Sequence, residues 1–151
     1  MNTIITVNDI INSGLRISSD ISDSVIQFAI ETVERAYVTD MIPIYQDILT
    51  NPSQYQDIIN GTNKQPSLRS AICHLVYAWV LYDNFFATRY ATVEKYADES
   101  NSPELKNVKQ VSMQHWEVGQ IMIRKINKFN NLSTEGLMRT GLIFNELMWG
   151  V

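Results

Sequence analysis

The stretch from Ser67 to Phe86 constrains the fold most, because it predicts a helix with apolar side chains on almost every side. Ser67 is a favourable N-cap, and the apolar positions that follow are Leu68, Ala71, Ile72, Leu75, Val76, Ala78, Trp79, Val80, Leu81, Tyr82, Phe85 and Phe86. A helix that is apolar around its whole circumference normally lies at the centre of a bundle. The apolar run is about a dozen residues long, whereas a membrane span needs roughly 20. The sequence therefore predicts the central helix of an all-α helical bundle.

An amphipathic helix is predicted before this central helix, by apolar residues that recur at spacings of three and four. These residues are Val25, Ile26, Ala29, Ile30, Val33, Tyr37 and Val38. Glu31, Glu34 and Arg35 are expected to lie off the apolar stripe, and Pro43 is expected to end the helix because it lacks an amide donor. Short helices are also expected at 6–14 with Asn8 as the cap, at 43–49 and at 53–60.

A long helix is predicted in the second half of the chain. Ser102, Pro103 and Glu104 supply a cap, a proline at the first helical position and an acid in the first turn. The helix is expected to reach about Asn130, a length of roughly 40 Å. Its buried face is expected to consist of Val108, Val111, Trp116, Val118, Met122, Ile123, Ile126 and Phe129.

Two segments do not follow the bundle pattern. Residues 89–96 are rich in β-branched and aromatic side chains with a rough alternation, which predicts an extended arm or a short hairpin within 88–102. In the apolar tail, 132–151, the spacing of Phe144, Leu147, Met148 and Trp149 suits a short helix that docks in a groove of a partner, or one that packs on its own bundle. We expect one helical domain over 1–151, with an N-terminal segment (1–19), a bundle (20–131) and this tail.

Composition and charge exclude several classes of protein. The net charge of −4 argues against a protein that binds nucleic acid simply by neutralising phosphates. The single cysteine, Cys73, excludes an internal disulfide, and the N-terminus lacks the features of a signal peptide, so we expect the protein to stay inside a cell. Residues 1–60 carry a net charge of −6 and the rest a net charge of +2. This polarity suits head-to-tail packing between copies, and also ordinary solvated faces.

No motif predicts a reaction. The chain lacks a glycine-rich phosphate loop and the Glu-x-x-His pairs of a di-iron bundle, so no enzyme activity, cofactor or metal is expected. One alternative is a helical enzyme or ligand-binding bundle that uses Cys73, His74 or His115. Another is a helical regulator that binds nucleic acid through the basic residues near the end of the long helix, which are Arg124, Lys125 and Lys128.

The order of these elements resembles the small head–tail connector proteins (adaptor or neck-ring proteins) of tailed bacteriophages, including those of the crAss-like group. The resemblance covers about residues 20–130 and consists of patterns of size and polarity. It comprises the helix Ala29-Ile30-Glu31-x-x-Glu34-Arg35-x-Tyr37, the segment Pro43-Ile44-Tyr45-Gln46-Asp47-Ile48-Leu49, the apolar helix from Leu75-Val76-Tyr77-Ala78-Trp79 to Phe86, the arm Thr88–Ala97 and the long final helix. Ile44-Tyr45 stands where the commoner family form has Leu-Gly after the proline.

The resemblance implies a structural virion protein that forms a ring, expected to be dodecameric, between the portal protein and the tail. The arm would contact neighbouring subunits through Arg89, Tyr90, Val93, Lys95 and Tyr96. The tail would dock on the portal through Leu142, Phe144, Leu147, Met148 and Trp149. Other neck or tail proteins would be partners, DNA would pass through the channel without sequence-specific binding, and no membrane would be involved. The ring would be assembled in the host cytoplasm and lie in the neck of the virion.

Overall fold

Helices account for all the regular structure that the computed structural model describes, which covers residues 2–85, 103–137 and 139–140. Seven α-helices follow one another, and no strand occurs among the residues described. They are α1 (Val7–Asn12), α2 (Asp23–Val33), α3 (Thr39–Met41), α4 (Tyr45–Thr50), α5 (Gln56–Asn60), α6 (Leu68–Phe85) and α7 (Pro103–Phe129). A π-helical turn (Glu34–Val38) joins α2 to α3, and a 3-10 turn (Pro52–Tyr55) precedes α5. The protein is an all-α helical bundle, as the sequence predicts.

The helix ends follow local capping chemistry. The side chain of Thr6 caps α1 in a reciprocal pair of bonds with Asp9, so the predicted cap at Asn8 is wrong. Ser67 Oγ accepts a bond from the amide of Ser70 at the start of α6, as predicted. Gly61 ends α5 with a φ of +77°, a conformation that costs glycine little. Pro43 lies before α4 and not within it, because Ile42 is extended and the helix begins only at Tyr45.

Helix α6 is the central helix, and the core surrounds it on several sides. Its fully buried residues include Leu68, Ala71, Ile72, Leu75, Val76 and Ala78. Helices α6 and α7 form the most extensive contact of the bundle, and α2 packs against α6 as well. A ring contact between Tyr37 of the π-helical turn and Trp79 of α6, with centroids 5.6 Å apart, extends the core toward the first helices. The aromatic residues of α6 therefore include core-packing side chains.

The buried face of α7 differs from the predicted one. Trp116, Ile123 and Ile126 are buried as expected, whereas Val118 and Phe129 are exposed. The difference arises because Ser112 and Gly119, which have no large apolar side chain, lie in the contact with α6. Ser112 Oγ donates to the carbonyl oxygen of Ala78 at 2.6 Å. The buried face of α7 that hydrophobicity predicts is therefore rotated about the helix axis relative to the face that packs on α6.

The prediction that Glu34 lies off the buried stripe of its helix is wrong. Its side chain is completely buried. Its carboxylate accepts bonds from the amides of Ile4 at 2.7 Å and Ile5 at 3.1 Å, and from the Tyr45 hydroxyl at 2.7 Å. Burial raises the pKa of Glu34, while the three hydrogen bonds act in the opposite direction. This carboxylate ties the N-terminal segment and α4 to the end of α2. The donors come from distant parts of the chain, so the pattern around Glu34 could not reveal them.

We expect Glu34→Ala to lower the free energy of unfolding by about 3 kcal/mol, because it leaves the buried amide of Ile5 and two further donors without their acceptor. Glu31→Ala, one turn earlier and only partly buried, is the matched control and should change that free energy by less than about 0.5 kcal/mol. Urea unfolding followed by circular dichroism measures both. Equal losses in the two variants would contradict the role given to Glu34.

Candidate functional site

The two histidines of the chain meet at the contact between α6 and α7. Nδ1 of His74 and Nδ1 of His115 lie 3.0 Å apart, which is hydrogen-bond distance. The ring planes differ by 19° and the centroids are 5.2 Å apart. This separation places both Nδ1 atoms close to the line between the ring centres, so the imidazoles meet edge to edge. One ring donates its Nδ1–H and the other accepts it.

The surroundings of this pair favour its neutral form. Burial lowers the pKa of both histidines, and the nearby His115 lowers the pKa of His74 further. Tyr77, one turn after His74 on α6, places its ring almost perpendicular to that of His115, at 81° with centroids 4.6 Å apart. The pair is therefore partly desolvated and held on one side by an aromatic ring.

The geometry fixes how many protons the pair can hold. A first added proton fits on the Nε2 of the donor ring and keeps the Nδ1–H···Nδ1 bond. A second added proton would place N–H groups on both facing nitrogens and two positive charges side by side, which opposes the contact. The pair is thus a hydrogen-bonded link between α6 and α7 that double protonation breaks.

Cys73, next to His74, has the environment of a core residue. It is buried, and burial raises its thiol pKa to about 12. The thiolate, which is the nucleophilic form of cysteine, is therefore disfavoured at neutral pH. His115, which the enzyme alternative also names, has its Nδ1 within hydrogen-bond distance of His74. Within the described ranges, no group of three or more His, Cys, Asp or Glu side chains could hold a metal ion.

The predicted docking residues lie outside the described part of the chain. This applies to Arg89, Tyr90, Val93, Lys95 and Tyr96 of the arm, and to Leu142, Phe144, Leu147, Met148 and Trp149 of the tail. The part of the tail that the structure describes, residues 132–137 and 139–140, does pack on the bundle, because Leu137 is buried and Gln120 donates to its carbonyl oxygen at 3.1 Å. Both sets of contacts remain predictions.

Large apolar side chains are exposed on three helices, of which α1 contributes Ile11 at 58%. On α2, Phe28 is 66% exposed and Val25 is also accessible. On α7, Ile121 is 47% and Phe129 is 50% exposed, beside Val118. The sequence analysis missed Phe28 and Ile121 as surface features. Their signal was present, because neither residue fits the apolar stripe assigned to its helix.

The three basic residues of the nucleic-acid alternative are also accessible. Arg124, Lys125 and Lys128 are exposed near the end of α7. They lie along the same stretch of helix as Ile121 and Phe129. Basic and apolar side chains therefore share this part of the surface.

A scan against models of protein families, and searches of curated proteins and of solved structures, found no match to this chain. Over the residues that the structure describes, every helix is too short or too polar to cross a membrane.

The histidine pair predicts that stability falls in mild acid. Because both pKa values are lowered in the folded state, the unfolded chain binds more protons as the pH drops below about 6.5. The free energy of unfolding should then fall by up to about 1.4 kcal/mol per pH unit for each histidine. Urea unfolding between pH 7.5 and pH 5 measures this slope.

A double variant, His74→Gln with His115→Gln, is the control, since the chain has no other histidine. Its stability should depend less on pH over this range than that of the natural protein. The same slope in both proteins would contradict the assignment.

Proposed function

We propose that this chain is a structural subunit of a phage head–tail connector, which assembles into a ring between the portal protein and the tail. The observation that carries the proposal is the exposure of large apolar side chains on three helices of a small bundle, with Ile11 on α1, Phe28 on α2, and Ile121 and Phe129 on α7. Large apolar side chains at the surface of a small protein occur at sites that bind other proteins. The order of elements resembles that of the connector family. For this reason the binding that we propose is assembly into a ring and onto the portal.

The polar groups inside the bundle support a structural role. Glu34 accepts three hydrogen bonds that hold the N-terminal segment and α4 in place. His74 and His115 bond to each other, and Cys73 is buried with a raised thiol pKa. Each of these groups stabilises the fold. The chain then contributes surface to a complex rather than a reaction.

The proposal assigns roles to the arm and to the tail. The arm, 88–102, would contact neighbouring subunits, and the tail, 132–151, would dock on the portal through residues beyond its described part, Leu147 and Trp149 among others. DNA would pass through the ring without sequence-specific contacts. The ring, expected to be dodecameric, would lie in the neck of the virion after assembly in the host cytoplasm.

Coexpression with the portal protein of the same phage tests the proposal. We expect a complex whose mass, measured by native mass spectrometry, equals one portal ring plus a ring of this chain. Leu147→Asp with Trp149→Asp should reduce binding to the portal at least ten-fold, because a buried carboxylate without a partner is costly.

Ser53→Asp with Gln54→Asp, which adds two carboxylates at exposed positions of the 3-10 turn outside the arm and the tail, is the control and should leave portal binding unchanged. Circular dichroism checks that the variants are folded. A chain that remains monomeric in the presence of portal and never binds it would overturn the proposal.

A second candidate function is supported by the exposed bases Arg124, Lys125 and Lys128. A regulator that binds nucleic acid through them would bind DNA with a steep dependence on salt. Flat, negligible binding of duplex DNA across salt concentrations removes this candidate, whereas a steep dependence favours it over the connector.

A further inference from the structure

The junction between α5 and α6 contains the one Asn-Gly pair of the sequence, Asn60-Gly61, although the chain has 13 asparagines. An asparagine amide converts to an acid most readily before glycine, because glycine has no side chain to hinder attack by its own backbone nitrogen. Asn60 is the last residue of α5 and is exposed to solvent. Water and hydroxide therefore reach its side-chain amide.

The backbone N–H of Gly61 donates no hydrogen bond to any residue that the structure describes. At the end of α4, by contrast, the amide of Asn51 donates to the carbonyl oxygen of Asp47 at 2.8 Å. A hydrogen bond protects an amide from reaction, because it favours the protonated nitrogen and fixes its direction. Gly61 has no such bond to lose, so its nitrogen can lose its proton and act as a nucleophile.

The side chain of Asn60 is held only weakly in its present conformation. Its Nδ2 donates to Oε1 of Gln56 at 2.8 Å, and this bond is exposed to water. An exposed hydrogen bond exchanges with bonds to water, so it adds little restraint. Ring closure also requires Asn60 to leave the helical backbone conformation, and it is the end residue of a helix of 5 residues, where helices fray. The two reacting groups can therefore meet.

The fold itself requires glycine at position 61. Gly61 has a φ of +77°, and a Cβ atom there would lie 2.7 Å from the backbone nitrogen of Ser67. Ser67 caps α6, and its Oγ also donates to the carbonyl oxygen of Ile59 at 2.7 Å. The close approach that orders the start of α6 thus preserves the Asn-Gly pair.

We infer that Asn60 is a site of spontaneous deamidation, an inference independent of the connector role. The Gly61 nitrogen gives its proton to solvent and attacks Cγ of Asn60. The new C–N bond closes a succinimide ring, and the side-chain nitrogen takes up a proton and leaves as ammonia. Water then opens the ring: cleavage of the new bond gives aspartate, and cleavage of the original peptide bond gives isoaspartate. No oxidant or reductant is needed, and each product carries one more negative charge than Asn60.

The products weaken the junction between α5 and α6. A carboxylate at position 60 cannot donate to Gln56, and it lies three residues after the exposed carboxylate of Asp57 on the same helix. Isoaspartate also lengthens the main chain by a methylene group, next to the tight contact of Gly61 with Ser67. Modified protein is therefore less stable than the natural chain.

Incubation of the folded protein at 37 °C and pH 8.5, followed by peptide mapping with mass spectrometry, tests the inference. Asn63, which is exposed in the same loop and precedes a lysine, is the control within the chain. We expect Asn60 to convert at least ten-fold faster than Asn63, and to give both aspartate and isoaspartate. Equal rates at the two positions would overturn the inference.

The same protein unfolded in urea shows whether the fold permits the reaction. Because the Gly61 amide is not hydrogen-bonded and Asn60 is exposed, the folded protein should convert at Asn60 within about ten-fold of the unfolded rate. A larger reduction would show that the end of α5 shields the pair, and this result also overturns the inference.

Two variants test the consequence for stability. Asn60→Asp reproduces the aspartate product, and Asn63→Asp is the matched control at an exposed position of the same loop. Thermal unfolding followed by circular dichroism should give a Tm about 2 °C or more lower for Asn60→Asp, and an unchanged Tm for Asn63→Asp. Equal Tm values for the two variants would overturn the destabilising effect that we assign to the product.

Discussion

The close approach of α6 and α7 at Gly119 is the constraint on which the rest of the bundle depends. A Cβ atom at this position would lie 2.6 Å from Cδ2 of Leu75 and 2.9 Å from the carbonyl oxygen of Ala71, so only glycine fits without a shift of the backbone. The contacts then run antiparallel along the two helices. Leu75 lies against Gly119, His74 against His115, and the carbonyl of Ala78 accepts from Ser112. The histidine bond exists because the helices are this close.

The sequence predicted the positions of the helices along the chain better than it predicted which side of each helix is buried. The long apolar run and the Ser102-Pro103-Glu104 start gave α6 and α7 nearly correct bounds, since capping and periodicity are local properties. The orientation of α7 was wrong because Gly119 and Ser112 form its contact without contributing hydrophobicity. The burial of Glu34 was missed because its donors lie about thirty residues away in the chain or on another helix. Packing partners of this kind are set by the tertiary fold.

The histidine pair of the candidate site also could not be predicted from local sequence patterns. His74 and His115 are 41 positions apart, and only the antiparallel contact of α6 and α7 brings their Nδ1 atoms together. The exposed residues Phe28 and Ile121 could have been found from the sequence, because each lies off the apolar stripe of its helix. Internal polar groups that bond to one another, and apolar groups that remain outside, are the features that the proposed connector role requires of a subunit. In the proposed role, the internal hydrogen bonds stabilise the fold, and the exposed residues bind the partner proteins.

Hydrogen exchange measured by mass spectrometry tests this account most directly, by comparison of the free protein with its complex with the portal protein. We expect exchange to slow around the exposed apolar residues Phe28 of α2 and Ile121 and Phe129 of α7, and in the tail. Exchange in the core of α6 should remain unchanged, because those amides are already buried within the bundle. Slowing confined to the segment around His74 and His115, with none around the exposed apolar residues of α2 and α7, would contradict the account.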